Sequence, residues 1–333
     1  MVTTKIVVPF YPIDVKGKED YLGFTADITG GEMVPVANLS KTQIIKKIIG
    51  QNIHVHGRGL PFPETSCLFA KRKIYTPHFN VVGVTKKSSV LRSKLWNRYD
   101  KIIALTNYAK KNFVNEGINP KKIERLTLAI DYQKYQKIGG GKKFRKKFGL
   151  GSREPFVLVI GLRQGKNTDV MAKACMKAGV KCVMVGATEK SHVRPGFEWL
   201  LPPKNSLQWE NDRIIVTGLI SNKDLLAAFD AATIYANSSN HTFECFSLST
   251  YQCAASGAAL CLPDFGVFDA FKGCALFHNN KSPDQLAANI KKYVSNKSLL
   301  RNNVKKAKKV AKDHDYDKVR RTYEEFYQRM GYI

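Results

Sequence analysis

Two groups of residues in this chain have the types and spacing to do chemistry. In "ANSSNHTFECFSLSTYQCAASGAALCLPDFG" the carboxylate of Glu244 stands at the mouth of an apolar run, and the amide of Gln252 follows eight residues later. A polar loop precedes the run. The pattern predicts a helix beginning near Cys245, whose unpaired N–H groups and positive dipole end favour an anion bound ahead of it. A carboxylate there can accept hydrogen bonds from sugar hydroxyls. Eight residues of helix rise by about 12 Å, near the span from the sugar to the ribose of a nucleotide sugar. The simpler account makes Glu244 a first-turn helix carboxylate and Gln252 a surface amide. The second group is "VIGLRQGKN". Gly161 allows a tight strand exit, while Arg163 and Lys166 place two cations in one loop. Such a pair suits a diphosphate and stabilises the charge that develops as it leaves. A solvated basic loop is the alternative.

Strands and helices must hold these residues. "KIVVPF", "NIHVHG", "KIYTPHF", "VVGVT", "KIIALT" and "ERLTLAI" read as strands in the first half; "FVLVIG", "KCVMVG", "RIIVTG", "ATIYAN" and "AALCLP" do so in the second. Helical stretches such as "DVMAKACMKAG" and "NKDLLAAFDAA" lie between them. Near-continuous apolar strands alternating with helices predict parallel sheets covered on both faces. "QKIGGGKKFRKKFGLGSREP", residues 136–155, is glycine-rich and charged without periodicity, and reads as a linker. The expected architecture is therefore α/β: two Rossmann-like doubly wound domains facing a central cleft. Residues 1–147 form the first and 148–314 the second. A C-terminal helix over 315–333 is placed to cross back to the first.

Composition narrows the class. No run of eighteen apolar residues occurs. "MVTTKIVVPFYP" reads as a first strand rather than a signal peptide. The seven cysteines (Cys67, Cys175, Cys182, Cys245, Cys253, Cys261 and Cys274) form no C-x-x-C pair and sit mostly in apolar stretches, as free thiols do in a reducing cytoplasm. No metal site is expected. The charge is unusual: 54 Lys and Arg against 27 Asp and Glu give +27, more than solubility requires. Residues 1–150 hold 28 basic and 10 acidic side chains, the rest 26 and 17. The first half is thus expected to meet most of any polyanion.

The order of these pieces resembles the retaining glycosyltransferases of the GT-B fold, particularly family 4. "ECFSLSTYQCAASG" is similar to the family's "E-G-F-G-L-x-x-x-E-A-M-A-x-G", "IGLRQGKN" to "V-G-R-L-x-x-x-K-G/N", and "RIIVTGLISNKDLLAAFDAATIYANSS" to the run that joins them. "RLTLAIDYQKY" resembles "V-I-x-N-G-I-D-x-x-x-F". The resemblance covers roughly residues 50–330. It implies a nucleoside-diphosphate sugar as donor, a UDP-sugar foremost, and transfer with retention that needs neither metal ion nor other cofactor. By that resemblance Glu244 contacts the donor sugar, Arg163 and Lys166 hold the diphosphate, and His78 approaches the sugar from the N-terminal domain. Gly161, Gly218, Phe246, Ser247, Leu248 and Gln252 line the nucleotide. For His78 a hydrogen-bonded histidine at a strand end is an equal account; His54 and His56 read as structural. Two departures stand out. Gln252 replaces the family's second glutamate, a ribose ligand. The family's glycine-rich loop after the first strand has no counterpart among Gly17, Gly23, Gly30 and Gly31.

Three acceptor readings compete. The net charge favours nucleic acid, with a hydroxylated base in DNA of viral type as the acceptor. "KKSSVLRSKLWNRYDKII", with Val90, Leu91, Leu95 and Trp96, is a candidate basic helix for an anionic membrane surface and a lipid acceptor, against a core-packed helix with a solvated face. Gln252 hints at a binding protein that has lost turnover. A cytoplasmic location is expected, peripheral to a membrane under the lipid reading.

Overall fold

In a computed structural model the structure describes residues 3–8, 21–36, 39–57, 69–79, 86–163, 165–189, 201, 211–240 and 244–333. The expected strand at "VVGVT" and residues 11–20, with Gly17 of the four glycines after the first strand, lie outside them. The chain divides into two compact units, one of residues 1–131, 241–246 and 314–333, the other of 132–240 and 247–313.

The first unit is built on a six-stranded sheet. Its strands are β1 (Thr4–Val8), β2 (Glu32–Pro35), β3 (Asn52–His56), β4 (Arg72–Thr76), β5 (Lys101–Ala104) and β6 (Ile123–Arg125), in the order β2-β1-β3-β4-β5-β6. Every pairing is parallel, with Ile6 opposite His54 and His54 opposite Ile74. Helices α1 (Tyr21–Thr29), α2 (Lys41–Ile48), α3 (Lys86–Trp96) and α4 (Asn107–Asn115) lie between the strands. Ser40 and Gln43 close a capping box at the start of α2. The ring of Trp96, fully buried, packs edge-on against Tyr75 and Phe113 and anchors the end of α3.

The second unit begins with α5 (Tyr132–Gln136) and α6 (Gly141–Lys147). Its sheet has β7 (Phe156–Ile160), β8 (Lys181–Val185), β9 (Ile214–Gly218), β10 (Ile234–Ala236), β11 (Ala259–Pro263) and β12 (Leu276–His278), again wholly parallel, in the order β12-β11-β10-β7-β8-β9. Helices α7 (Thr168–Ala178), α8 (Asn222–Ala231), α9 (Leu248–Ser256), α10 (Pro283–Ser295) and α11 (Lys297–Lys312) follow in order. Last comes α12 (Tyr316–Met330), which belongs to the first unit. There Tyr323 meets Phe24 edge-on, Arg320 pairs with Asp27, and the Tyr332 hydroxyl donates to the Ile53 carbonyl.

Three expectations need correction. Residues 136–147 are not a linker. The Gly141 N–H donates to the Asp230 carboxylate at 2.8 Å, the Arg145 guanidinium to the carbonyls of Ala231 and Glu154, and the Tyr135 ring packs on Phe229. Glycine and charge concealed a helix because its polar groups are used on a neighbour rather than in solvent. The helix expected from Cys245 begins at Leu248, with Ser247 at its N-cap. Only four of the eight steps from Glu244 to Gln252 are helical, so the rise to Gln252 within the helix is about 6 Å. The charge is also distributed otherwise. Counted by folded unit, the second holds 29 Lys and Arg against 12 Asp and Glu, the first 25 against 15. The larger excess, +17 of the +27, lies on the second unit, because α5 and α6 fold into it while the acidic stretches at 315–325 do not.

A methyl at Gly141 would stand 2.7 Å from Asp230 Oδ2 and 3.0 Å from the Ala231 nitrogen, whereas one at Gly139 meets nothing within 4 Å. Gly141→Ala should therefore destabilise the protein by about 1–3 kcal/mol, and Gly139→Ala should leave it unchanged or slightly stabilised. Thermal unfolding midpoints of the two variants check this; equal midpoints would return the segment to a linker.

Candidate functional site

Parallel strands leave a sheet at one edge, so the loops after β7 to β12 share that edge. The strand order reverses between β7 and β10: the chain runs from β7 out through β8 and β9, then returns to β10 on the other side. Loops from these two adjacent strands diverge and open a crevice, where open α/β sheets bind ligands. The sequence motifs fall on both walls.

The first wall is the loop after β7. Gly161 sits at φ +85°, in the left-handed region, and its N–H donates to the Val185 carbonyl at 2.8 Å. Lys166 folds back over it, with Cε 3.7 Å from where a Gly161 methyl would be, and is only 8% exposed. Arg163 stays half-exposed, and its carbonyl accepts the Lys166 N–H at 3.1 Å. Gly186, after β8, packs so closely that a methyl there would come 2.9 Å from the Leu162 nitrogen. Gly218 closes β9 at φ +68°, and its carbonyl accepts the Gly186 N–H.

The second wall is the loop after β10 and the start of α9. Buried Asn237 accepts the Ser239 N–H at 2.8 Å and donates to the Ser247 hydroxyl at 3.2 Å, while the Thr250 hydroxyl donates to the same oxygen. Ser247 is thereby held sideways and makes no capping hydrogen bond, so the first N–H groups of α9 have no side-chain cap. Such a helix start suits an anion. Leu248 opens the helix, and Gln252, half-buried, lies one turn on.

A residue overlooked in the sequence ties the walls together. Asn167, just before α7, is the one non-glycine residue with positive φ (50°) among those described. Its amide donates to the carbonyls of Ser238 and Asn280 at 2.8 and 3.1 Å, and the Asn240 N–H donates to the Gly165 carbonyl. Asparagine tolerates this conformation where other side chains do not. The signal was present: an asparagine directly after Gly165 and Lys166 and ahead of a helix. Beside it, the His278 imidazole lies 2.9 Å from the Ser238 hydroxyl, and burial pushes its pKa down to about 4.

In the first unit the predicted histidine is one of three in contact. His56 Nδ1 lies 3.3 Å from His78 Nε2, and the rings of His54 and His56 are 4.0 Å apart. His54 lies 2.6 Å from the Tyr327 hydroxyl and 2.7 Å from that of Thr76, which accounts for it structurally. Desolvation holds His54 and His56 well below the ordinary imidazole range, and lowers His78, part of whose edge stays accessible, to about 4. All three are neutral at pH 7. Glu244, 5% exposed, and Phe246, whose ring is 5.8 Å from that of His314, fall in the first unit, whereas Ser247 onward falls in the second. Among the described residues no group of three or more His, Cys, Asp and Glu is placed to hold a metal ion, and no helix is long and apolar enough to cross a membrane.

No protein-family model matches the chain. It is 25% identical over 287 residues, 79% of its own length and 69% of the relative's, to an uncharacterized glycosyltransferase of Methanocaldococcus jannaschii. HepE of Anabaena, solved in complex with UDP, superposes with a TM-score of 0.76 at 14% identity, covering 98% of this chain and 100% of HepE. Sucrose-phosphate synthase of Thermosynechococcus elongatus superposes with a TM-score of 0.76 at 12% identity, over 98% and 99% of the two chains. The chain shares their fold of two parallel-sheet α/β domains.

The histidines tie stability to pH. His278 binds a proton at its ordinary 6.5 when unfolded but only near 4 when folded. Its contribution is therefore complete above about pH 6.5 and is lost as pH falls toward 4; His78 adds to the same window. Urea midpoints should fall steadily from pH 7 to pH 5, and His278→Gln should flatten part of that slope. A midpoint constant over this range would contradict burial of neutral imidazoles.

Proposed function

We propose that this chain is a retaining glycosyltransferase that uses a nucleoside-diphosphate sugar, with a UDP-sugar foremost. What carries this is the β7–β10 crevice, where Lys166, Arg163 and the uncapped start of α9 converge on one edge of one sheet. That is the chemistry a departing diphosphate needs: cations and oriented N–H groups in place before its charge develops. The glycosyltransferase relative and the UDP-bound neighbour of the same fold support it. Glu244 is assigned to the donor sugar hydroxyls, His78 to the sugar from the first unit, and Gln252 to the ribose, where its amide oxygen accepts a weaker hydrogen bond than a carboxylate would. Gly161, Gly218, Phe246, Ser247 and Leu248 complete the nucleotide site. The cations take the role a metal ion plays elsewhere, so turnover is expected to be metal-independent.

The net charge of +27 supports a hydroxylated base in DNA as the acceptor. A lipid acceptor at an anionic membrane surface is favoured by one observation: on basic helix α3, Trp96 and Leu95 face the core while Val90 and Leu91 are 54% and 62% exposed.

Lys166→Ala should lower release of UDP from UDP-glucose by about 10²–10³-fold, the scale of losing one transition-state charge contact. Gln252→Ala should raise the donor KM more than it lowers kcat. Chelator should leave the wild type active; activity abolished by chelation and restored by a divalent ion would refute metal independence. Labelled donor offered in parallel to hydroxymethylated DNA, unmodified DNA and a lipid extract should label the first. Label confined to lipid would replace the DNA acceptor and leave the transferase standing.

A further inference from the structure

A groove of about 580 Å³ runs along α11, bounded by Tyr132 at the start of α5 and Gly257 at the end of α9, with Leu300 and Val304 among the side chains that line it. Its other lining residues are cations of one helix: Arg301, Lys305, Lys308, Lys309 and Lys312. Their spacing places them on one stripe of α11, about 16 Å long at 1.5 Å per residue. Helices α5, α9 and α11 contain no Asp or Glu. Among the described residues, Arg301, Lys305, Lys309 and Lys312 form no ion pair. Lys308 alone has an internal role, donating to Gln136 and lying close to Gly257 at the negative end of α9. Like charges three and four residues apart repel one another, so the stripe works against the helix that carries it. Basic side chains scattered over a convex face need no partner; five in a row along one concavity present a line of positive charge to whatever enters.

We propose that this groove binds the phosphodiester backbone of a nucleic-acid strand. Charges drawn out in a line fit a linear polyanion rather than one phosphate, which would need them to converge on a point. The concave shape excludes a flat bilayer, and no large hydrophobic side chain of α11 is exposed for insertion among lipids. The unit that carries the groove also holds the greater share of the net charge. The groove is separate from the donor crevice: α9 presents its first residue, Leu248, to the crevice, and Gly257, which follows its last, lines the groove, about 13 Å away. The inference stands without the transferase assignment.

The test is fluorescence anisotropy of a fluorescein-labelled oligothymidylate of roughly 20 nucleotides, titrated with the full chain over a range of salt. For a single strand the logarithm of the binding constant falls with the logarithm of salt by about 0.7 per phosphate contacted. Lys305→Gln with Lys309→Gln should therefore flatten the slope by about 1.4 and weaken binding roughly tenfold at low salt. Lys142→Gln with Lys143→Gln, equal in charge and exposed on α6, should do neither. Equal effects of the two double variants, or no binding at all, would overturn the groove as a site. Binding of phosphatidylserine vesicles but not the oligonucleotide, lost in the groove variant, would overturn it in favour of a membrane surface. UDP release from UDP-glucose should be unchanged in the groove variant. If donor turnover is absent while the oligonucleotide still binds through these lysines, the transferase assignment fails and the groove remains.

Discussion

A strand paired in parallel with both neighbours must leave the sheet at the same edge as they do, and every pairing in both sheets is of this kind. That constraint gathers residues far apart in the chain. It brings "GLRQGKN" after β7 beside the polar loop after β10, although some seventy residues and two further strands separate them. The helices follow from it too, since each crossover must return along a face of the sheet before the next strand begins. Glycine stands at the exits of three adjacent strands, at Gly161, Gly186 and Gly218. At Gly186 the reason is space, since a side chain there would strike the Leu162 backbone.

Holding a crevice open at that edge requires polar groups that the interior would otherwise reject. Asn237, Ser238, Ser239, Ser247 and Thr250 are all buried, and each is used: the Asn237 amide, the Ser239 N–H and the Ser247 and Thr250 hydroxyls satisfy one another, and the Ser238 hydroxyl meets the His278 imidazole. A buried group left unpaired costs far more than a paired one contributes, so the network fixes the positions of its members. Ser247 shows the consequence. Its hydroxyl serves the network instead of capping α9, and the positive end of that helix stays available. The first unit meets the same problem differently, by holding three imidazoles neutral at the carboxyl ends of β3 and β4.

Charge is where folding changes the picture most. A line drawn at the middle of the sequence assigns the excess to the first half. The fold gives α5 and α6 to the second unit and returns residues 314–333, with four acids and four bases, to the first. The basic stripe on α11 then belongs to the more basic unit. Electrostatic steering depends on where charges lie in space, so it is the folded distribution that bears on partners.

Much of this protein could be read without coordinates, because local signals and global structure agree there. The apolar runs at Phe156–Ile160, Lys181–Val185 and Ala259–Pro263 are strands, since a strand buried on both faces has to be apolar nearly throughout. Arg163, Lys166, Glu244 and Gln252 stand out as residue types that a loop or helix does not need for its own formation. Short β2 and β12, Glu32–Pro35 and Leu276–His278, escaped notice, because edge strands of three or four residues carry too little pattern. Only the tertiary structure showed that Gly141–Lys147 is a docked helix, that Asn167 ties two loops, and that α9 starts at Leu248. Each depends on a partner distant in sequence: Asp230 for Gly141, Ser238 for Asn167, Asn237 for Ser247. Local pattern records what a segment prefers by itself; long-range hydrogen bonds and close packing decide where it stops and what it holds.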